Sequence, residues 1–225
     1  MDTKKLITGI EIIISTALFI CIGYGIYLAR FVGREAFLLY VQEDGLVENM
    51  TALFLFFCSL VCLYRVFQYR KSKKPIWILT YILLVFLFFF AAGEEISWGQ
   101  RIFGIESGNF FLHHNKQAEM NFHNLVVDGQ SLNVWIFSRL MFVVLIIYFI
   151  FSRLMVWKIP FIRNLVNRFK VPLPRNQHII VMLVATLMIL LIQLSKESEL
   201  HELSFAFIFF LIFLHPAKIE KNNYN

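Results

Sequence analysis

At 225 residues, 59% of them hydrophobic and 26 of them Phe, the chain lies far outside the range of soluble proteins. Several runs exceed eighteen nearly uncharged apolar residues, enough for a helix to cross the roughly 30 Å hydrocarbon layer, and their unbroken apolarity argues against a β-barrel. The formal charge of +6 is split over several loops without a recognition motif, so no nucleic-acid partner is expected.

Six apolar segments emerge in chain order, at about 6–28, 48–67, 75–93, 134–157, 177–195 and 203–217. They predict one all-α polytopic membrane domain spanning residues 1–225. "MDTKK" before the first run resembles the basic start of a signal peptide. The run behind it is too long, carries Glu11 and lacks a small-x-small site, so it reads as a retained helix. Pro75 opens the third segment in its first turn, where proline is tolerated. "VPLP" at 171–174 breaks any helix ahead of the fifth. Between segments lie the basic hairpin "RYRKSKK", a polar loop at 94–133, a basic loop at 158–176 and the acidic link "KESELHE". Cys21, Cys58 and Cys62 fall inside apolar runs and read as packing residues.

Charge sets the expected orientation. An even number of spans puts both termini on one side with loops 68–75 and 158–176. That side collects fifteen Lys and Arg against six on the other, so the positive-inside rule places both termini in the cytoplasm of a bacterial inner membrane. Only Asp2, Glu11 and Glu220 join the basic side, and the other twelve acids face outward. His178 and His215, at cytoplasmic helix ends, read as isolated.

Four outer stretches concentrate polar chemistry. "EDGLVEN" at 43–49 puts Asp44 and Glu48 on one helical face. "AAGEEISWGQR" at 91–101 ends an oily segment on the adjacent acids Glu94 and Glu95. "HHNKQAEMNFHN" at 113–124 would, as a helix, align Asn115, Glu119 and His123. "KESELHE" at 196–202 places Glu197 and His201 four apart, with Glu199 and Glu202 three apart. Glu94 and Glu95 are candidates for general acid or base, because burial and a twin charge both disturb a carboxyl. Arg101 and Arg139 are candidate anion binders, Arg139 also a counter-ion inside the fourth segment. Glu48, Glu119, His123, Glu197 and His201 form the candidate ligand set for a divalent metal such as zinc, although no HExxH pattern accompanies them. The plainer readings are a helix-dipole role for Asp44 and Glu48 and an aromatic-belt role for Trp98.

The strings "EDGLVENMTALFLF", "GEEISWGQRIFG" and "NKQAEMNFHNL" resemble a group of uncharacterised bacterial multi-pass membrane proteins with EDG-x-x-E, GEE-x-SWGQR and N-x-Q-x-E-x-N-x-HN blocks. The resemblance covers about a third of the chain and brings no activity with it. Seven-helix zinc amidases of the ceramidase and adiponectin-receptor type share membrane acids and histidines, but their S-x-x-x-H and H-x-x-x-H pairs are missing here. Two functional classes follow. One is a metal-assisted hydrolase or transferase acting on a lipid or lipid-linked substrate at the outer leaflet. The other is a non-enzymatic transport or assembly component whose acidic pocket binds a cation or a partner.

Overall fold

A computed structural model describes residues 3–217 apart from positions 73, 123, 128 and 132–140. The described chain is helical, with one two-residue antiparallel ladder of β1 (Val126–Val127) and β2 (Gln130–Ser131) in the outer loop. The helices are α1 (Thr3–Tyr27), α2 (Arg34–Tyr40), α3 (Leu46–Tyr69), α4 (Pro75–Glu95), α5 (Gln100–Phe103), α6 (Asn109–His114), α7 (Met141–Ile146), α8 (Ser152–Lys158), α9 (Pro160–Phe169), α10 (Asn176–Ile189) and α11 (Ser198–Leu214). A wider π turn at Leu28–Val32 prolongs α1, and another at Ile147–Phe151 joins α7 to α8.

Beyond its polar first two turns α11 is apolar all round, and it is the hub. Leu200, Leu203, Phe207, Ile208, Leu211 and Ile212 are all buried, as a helix without a polar face must be. It packs between α3 on one side and α1 and α10 on the other, and α4 packs against α3. The Phe54 and Phe207 rings stack with centroids 3.7 Å apart, and Phe88 meets Phe213 edge-on at 4.9 Å. Ser59 on α3 donates to the Val85 carbonyl of α4 at 3.0 Å, tying that pair where no water competes. Outward, α1 shows Ile12, Ile13 and Ile20, and α4 shows Leu83, Phe86 and Leu87. Contiguous exposed apolar faces of this length fit a lipid environment.

The number of long spans differs from the six-segment expectation. Among the described residues, Lys5–Val32, Leu46–Tyr69 and Pro75–Glu95 are long and apolar enough to cross a membrane. A fourth candidate is the pair Val143–Lys158 and Pro160–Phe169, bent by 112° where Pro160 opens α9. The expected start of the fourth segment at 134 lies outside the described residues. The fifth segment stops at Ile189 rather than 195, giving a 14-residue helix, and the sixth runs over Ser198–Leu214 rather than 203–217. Backbone conformation explains the early stop, because Gln193 and Lys196 adopt positive φ of 56° and 68°. Arg30 compensates there, donating to the Leu191 carbonyl at 2.7 Å and the Gln193 side chain at 2.8 Å. "VPLP" does precede a new helix, with Arg175 at the N-cap of α10.

Candidate functional site

α4 ends on Glu94 and Glu95, and the chain then reverses through Ser97, Trp98 and Gly99, all with positive φ. The reversal folds the Trp98 indole back onto Gly93, where an added Cβ would stand 2.8 Å from the ring. Only a glycine fits so close an approach. Trp98 Nε1 then donates to Glu94 Oε1 at 2.8 Å, and the Phe122 N–H donates to Glu94 Oε2 at 2.6 Å. Both oxygens of this buried carboxylate are therefore used to pin the outer loop to the end of α4.

The rest of that loop is built the same way. The expected helix across 113–124 ends at His114, and this corrects the alignment of Asn115 with Glu119. Asn115 Oδ1 instead accepts the N–H groups of Gln117 and Glu119, while Ala118 turns to a φ of 55°. Such a side-chain turn competes with helix, which is why Asn sits poorly in helix interiors. Asn121 donates to Ser97 Oγ at 2.8 Å and to Glu119, and Ser97 donates to Glu119 as well. Gln100 takes the Met120 N–H at 2.7 Å and donates to Ser107. Arg101 bridges Glu119 to Asp44, so it ties this cap to the turn ahead of α3. Three assigned residues, Glu94, Arg101 and Glu119, thus have all-protein partners in a polar cap.

Glu95 belongs to a different neighbourhood. Its carboxyl lies in the electrostatic field of Glu199, Glu48, Glu43 and Glu94. Glu202 feels Glu95, Glu199, Glu48 and Glu43 in turn. Glu43 ahead of α3, Glu48 in its first turn, Glu95 in the last turn of α4, and Glu199 and Glu202 in the first two turns of α11 are thus five carboxyls within electrostatic range of one another. Glu48 accepts the Asp44 N–H. Lys196 bonds Glu43 at 2.7 Å. Partial burial works against the Lys196 charge, yet its bond to Glu43 and the fields of Glu43, Glu199 and Glu48 outweigh that and raise its pKa.

The remaining assigned residues fall out as follows. Glu197 and His201 open α11, and buried Glu197 Oε2 and His201 Nδ1 have no hydrogen-bond partner among the described residues. His123 and Arg139 lie outside the described residues. No three His, Cys, Asp or Glu side chains among the described residues are placed to share one metal ion. Glu43, Glu199 and Glu202 join the group without having been singled out. Their signal was the three-residue spacing in "KESELHE" and the acid just ahead of Asp44.

A second polar assembly occupies the other end of the bundle, and it corrects the reading of His178 and His215 as isolated. Buried Glu11 on α1 receives Arg175 at 3.0 Å, Gln177 at 2.7 Å, His215 Nδ1 at 3.1 Å and His178 Nε2 at 3.3 Å. His178 Nδ1 accepts the Arg175 N–H, so its proton sits on Nε2 facing Glu11. The missed signal was Glu11 itself, an acid in the middle of an apolar run. No protein-family model, curated protein or solved structure matches this chain.

Proposed function

We propose that this is a non-enzymatic transport or assembly component of a bacterial inner membrane, whose outer carboxyl group binds a cation and, in its absence, protons. Support comes from the meeting of Glu43, Glu48, Glu95, Glu199 and Glu202 at one end of α3, α4 and α11. The carrying observation is that these five carboxyls lie within electrostatic range of one another, with Lys196 bonded to Glu43 at 2.7 Å. Lys196 is a single positive charge against five acids, and like charges in mutual range titrate together rather than ionising independently. No three of the described side chains are placed to share one ion, so the cation is drawn by the charge of the group, and oxygen-only groups favour hard cations such as calcium or magnesium over zinc. The fifteen-to-six division of Lys and Arg supports six inserted segments with this group outside and both termini in the cytoplasm.

Potentiometric titration of the purified full chain with calcium tests the reading. It predicts release of about one proton or more per chain, abolished in a Glu95→Gln, Glu202→Gln double variant. Absence of both binding and proton release would contradict it. A second reading, a metal-assisted hydrolase or transferase on a lipid-linked substrate, is favoured by one observation. His201 Nδ1 is buried and has no hydrogen-bond partner among the described residues, which leaves it available to a substrate proton. Its test is conversion of a membrane lipid extract by the purified chain, with activity lost in His201→Ala. The first reading is the stronger, because Glu94, Arg101 and Glu119 are already engaged in the cap.

A further inference from the structure

From Glu202 to His215, α11 runs thirteen residues, about 20 Å at 1.5 Å per residue. The Glu11 assembly therefore sits at the opposite end from the carboxyl group. Beside it lies a cavity of about 270 Å³ lined by Arg153, Arg175, Asn176, Gln177 and Ala217. It is wedged between α8, the first turn of α10 and the segment that follows α11.

The lining is that of an anion site. Arg175 turns one nitrogen, Nη1, to Glu11, and Arg153 uses one for Asn176 Oδ1. The other N–H groups of both guanidinium forks have no protein partner among the described residues. Glu11 offsets one of the two guanidinium charges, which leaves the cavity with excess positive charge. Asn176 and Gln177 begin a 14-residue helix, so their backbone N–H groups have no partner within it. Two planar forks and a helix start match the oxygens of a tetrahedral phosphate. The volume falls just short of a typical drug pocket, which suits a headgroup rather than a large solute. On the same helices Leu154, Trp157 and Ile180 are exposed apolar residues within one turn of the lining, where acyl chains would lie.

We propose that this cavity binds a phosphate group, supplied by a phospholipid headgroup or by free phosphate. Nothing in this proposal depends on the outer carboxyl group, and the two stand or fall separately. The test is native mass spectrometry of the full chain in detergent, titrated with phosphatidylglycerol and with diacylglycerol of the same chains. Phosphatidylglycerol is expected to bind and diacylglycerol, which lacks the phosphate, is not. Arg153→Gln should weaken phosphatidylglycerol binding about tenfold or more, the value of one charge-assisted bond. Asn176→Asp, which sets a carboxylate in the cavity, should weaken it similarly. Arg168→Gln on α9 removes equal charge outside the cavity and should change binding by less than about twofold. Displacement of the lipid by inorganic phosphate assigns the site to free phosphate, and its persistence assigns it to the lipid. Equal binding of diacylglycerol, or equal weakening by Arg153→Gln and Arg168→Gln, overturns the proposal.

Discussion

Replacing Gly93 by Ala puts a methyl group where three Trp98 ring carbons stand at 2.8, 2.9 and 2.9 Å. Real Cβ contacts do not come so close, so the indole must move. It is held by Phe89 and Phe90 edge-on, with centroids at 6.1 and 5.5 Å, and by its bond to Glu94. Overpacking of this kind costs about 1–3 kcal/mol. Losing a hydrogen bond to a buried carboxylate adds about 1.5–3 kcal/mol. Alanine in a helix returns about 1 kcal/mol relative to glycine. The net expectation is a loss of about 1.5–5 kcal/mol by these figures. Gly9 and Gly23 on α1 provide the control, since a Cβ there meets nothing within 4 Å. Their alanine variants should be neutral or stabilised by up to about 1 kcal/mol. Equilibrium unfolding in mixed SDS micelles measures all three. A Gly93→Ala protein as stable as the Gly9→Ala protein would refute the account of the cap.

Further outcomes follow from the packing and the charges. Phe207→Ala removes a ring stacked at 3.7 Å on Phe54 at the centre of α11, and should cost about 3–5 kcal/mol in the same unfolding assay. Glu119→Gln removes the acid that binds Ser97, Asn121 and Arg101, and should cost about 1–2 kcal/mol, discounted because Arg101 is part-exposed. Limited proteolysis of residues 104–131 should then accelerate, and an unchanged cleavage rate would count against the cap. The raised pKa of Lys196 means that its bond to Glu43 stabilises the fold below the ordinary lysine value of about 10.5 and is lost as the pH climbs through the higher folded value. Lys196→Gln should therefore lower the melting temperature at pH 7, and the difference should shrink as the pH climbs through the folded lysine value.

Much of the helical architecture was legible because apolar length is a property of composition. Segments two and three, bounded by the "EDG" turn, the basic hairpin and Pro75, match α3 and α4 to within two residues at most ends. The last two segments were drawn wrongly where polar breakpoints are weak. Nothing in "LLIQLSK" announces that Arg30, some 160 residues earlier in the chain, takes over the Leu191 carbonyl. The outer site was legible as a concentration of acids but not as a division of labour. Glu94 and Glu95 are chemically identical neighbours, and about 100° of helical rotation sends one into the cap and the other towards Glu199 and Glu202. Sequence spacing carries that rotation, but it does not say which helix stands on each side. Glu11 and its four partners, drawn from α1, α10 and the end of α11, come from positions up to 204 residues apart, beyond the reach of any local pattern.

Infrared difference spectroscopy of the protonated carboxyl band tests the division between Glu94 and Glu95 most directly. At neutral pH the full chain should show the band, and calcium should diminish it. Glu95→Gln should reduce it, while Glu94→Gln leaves it intact and instead weakens the fold. A spectrum without the band, or one equally unchanged in both variants, would contradict a proton-sharing group at the outer end of α3, α4 and α11.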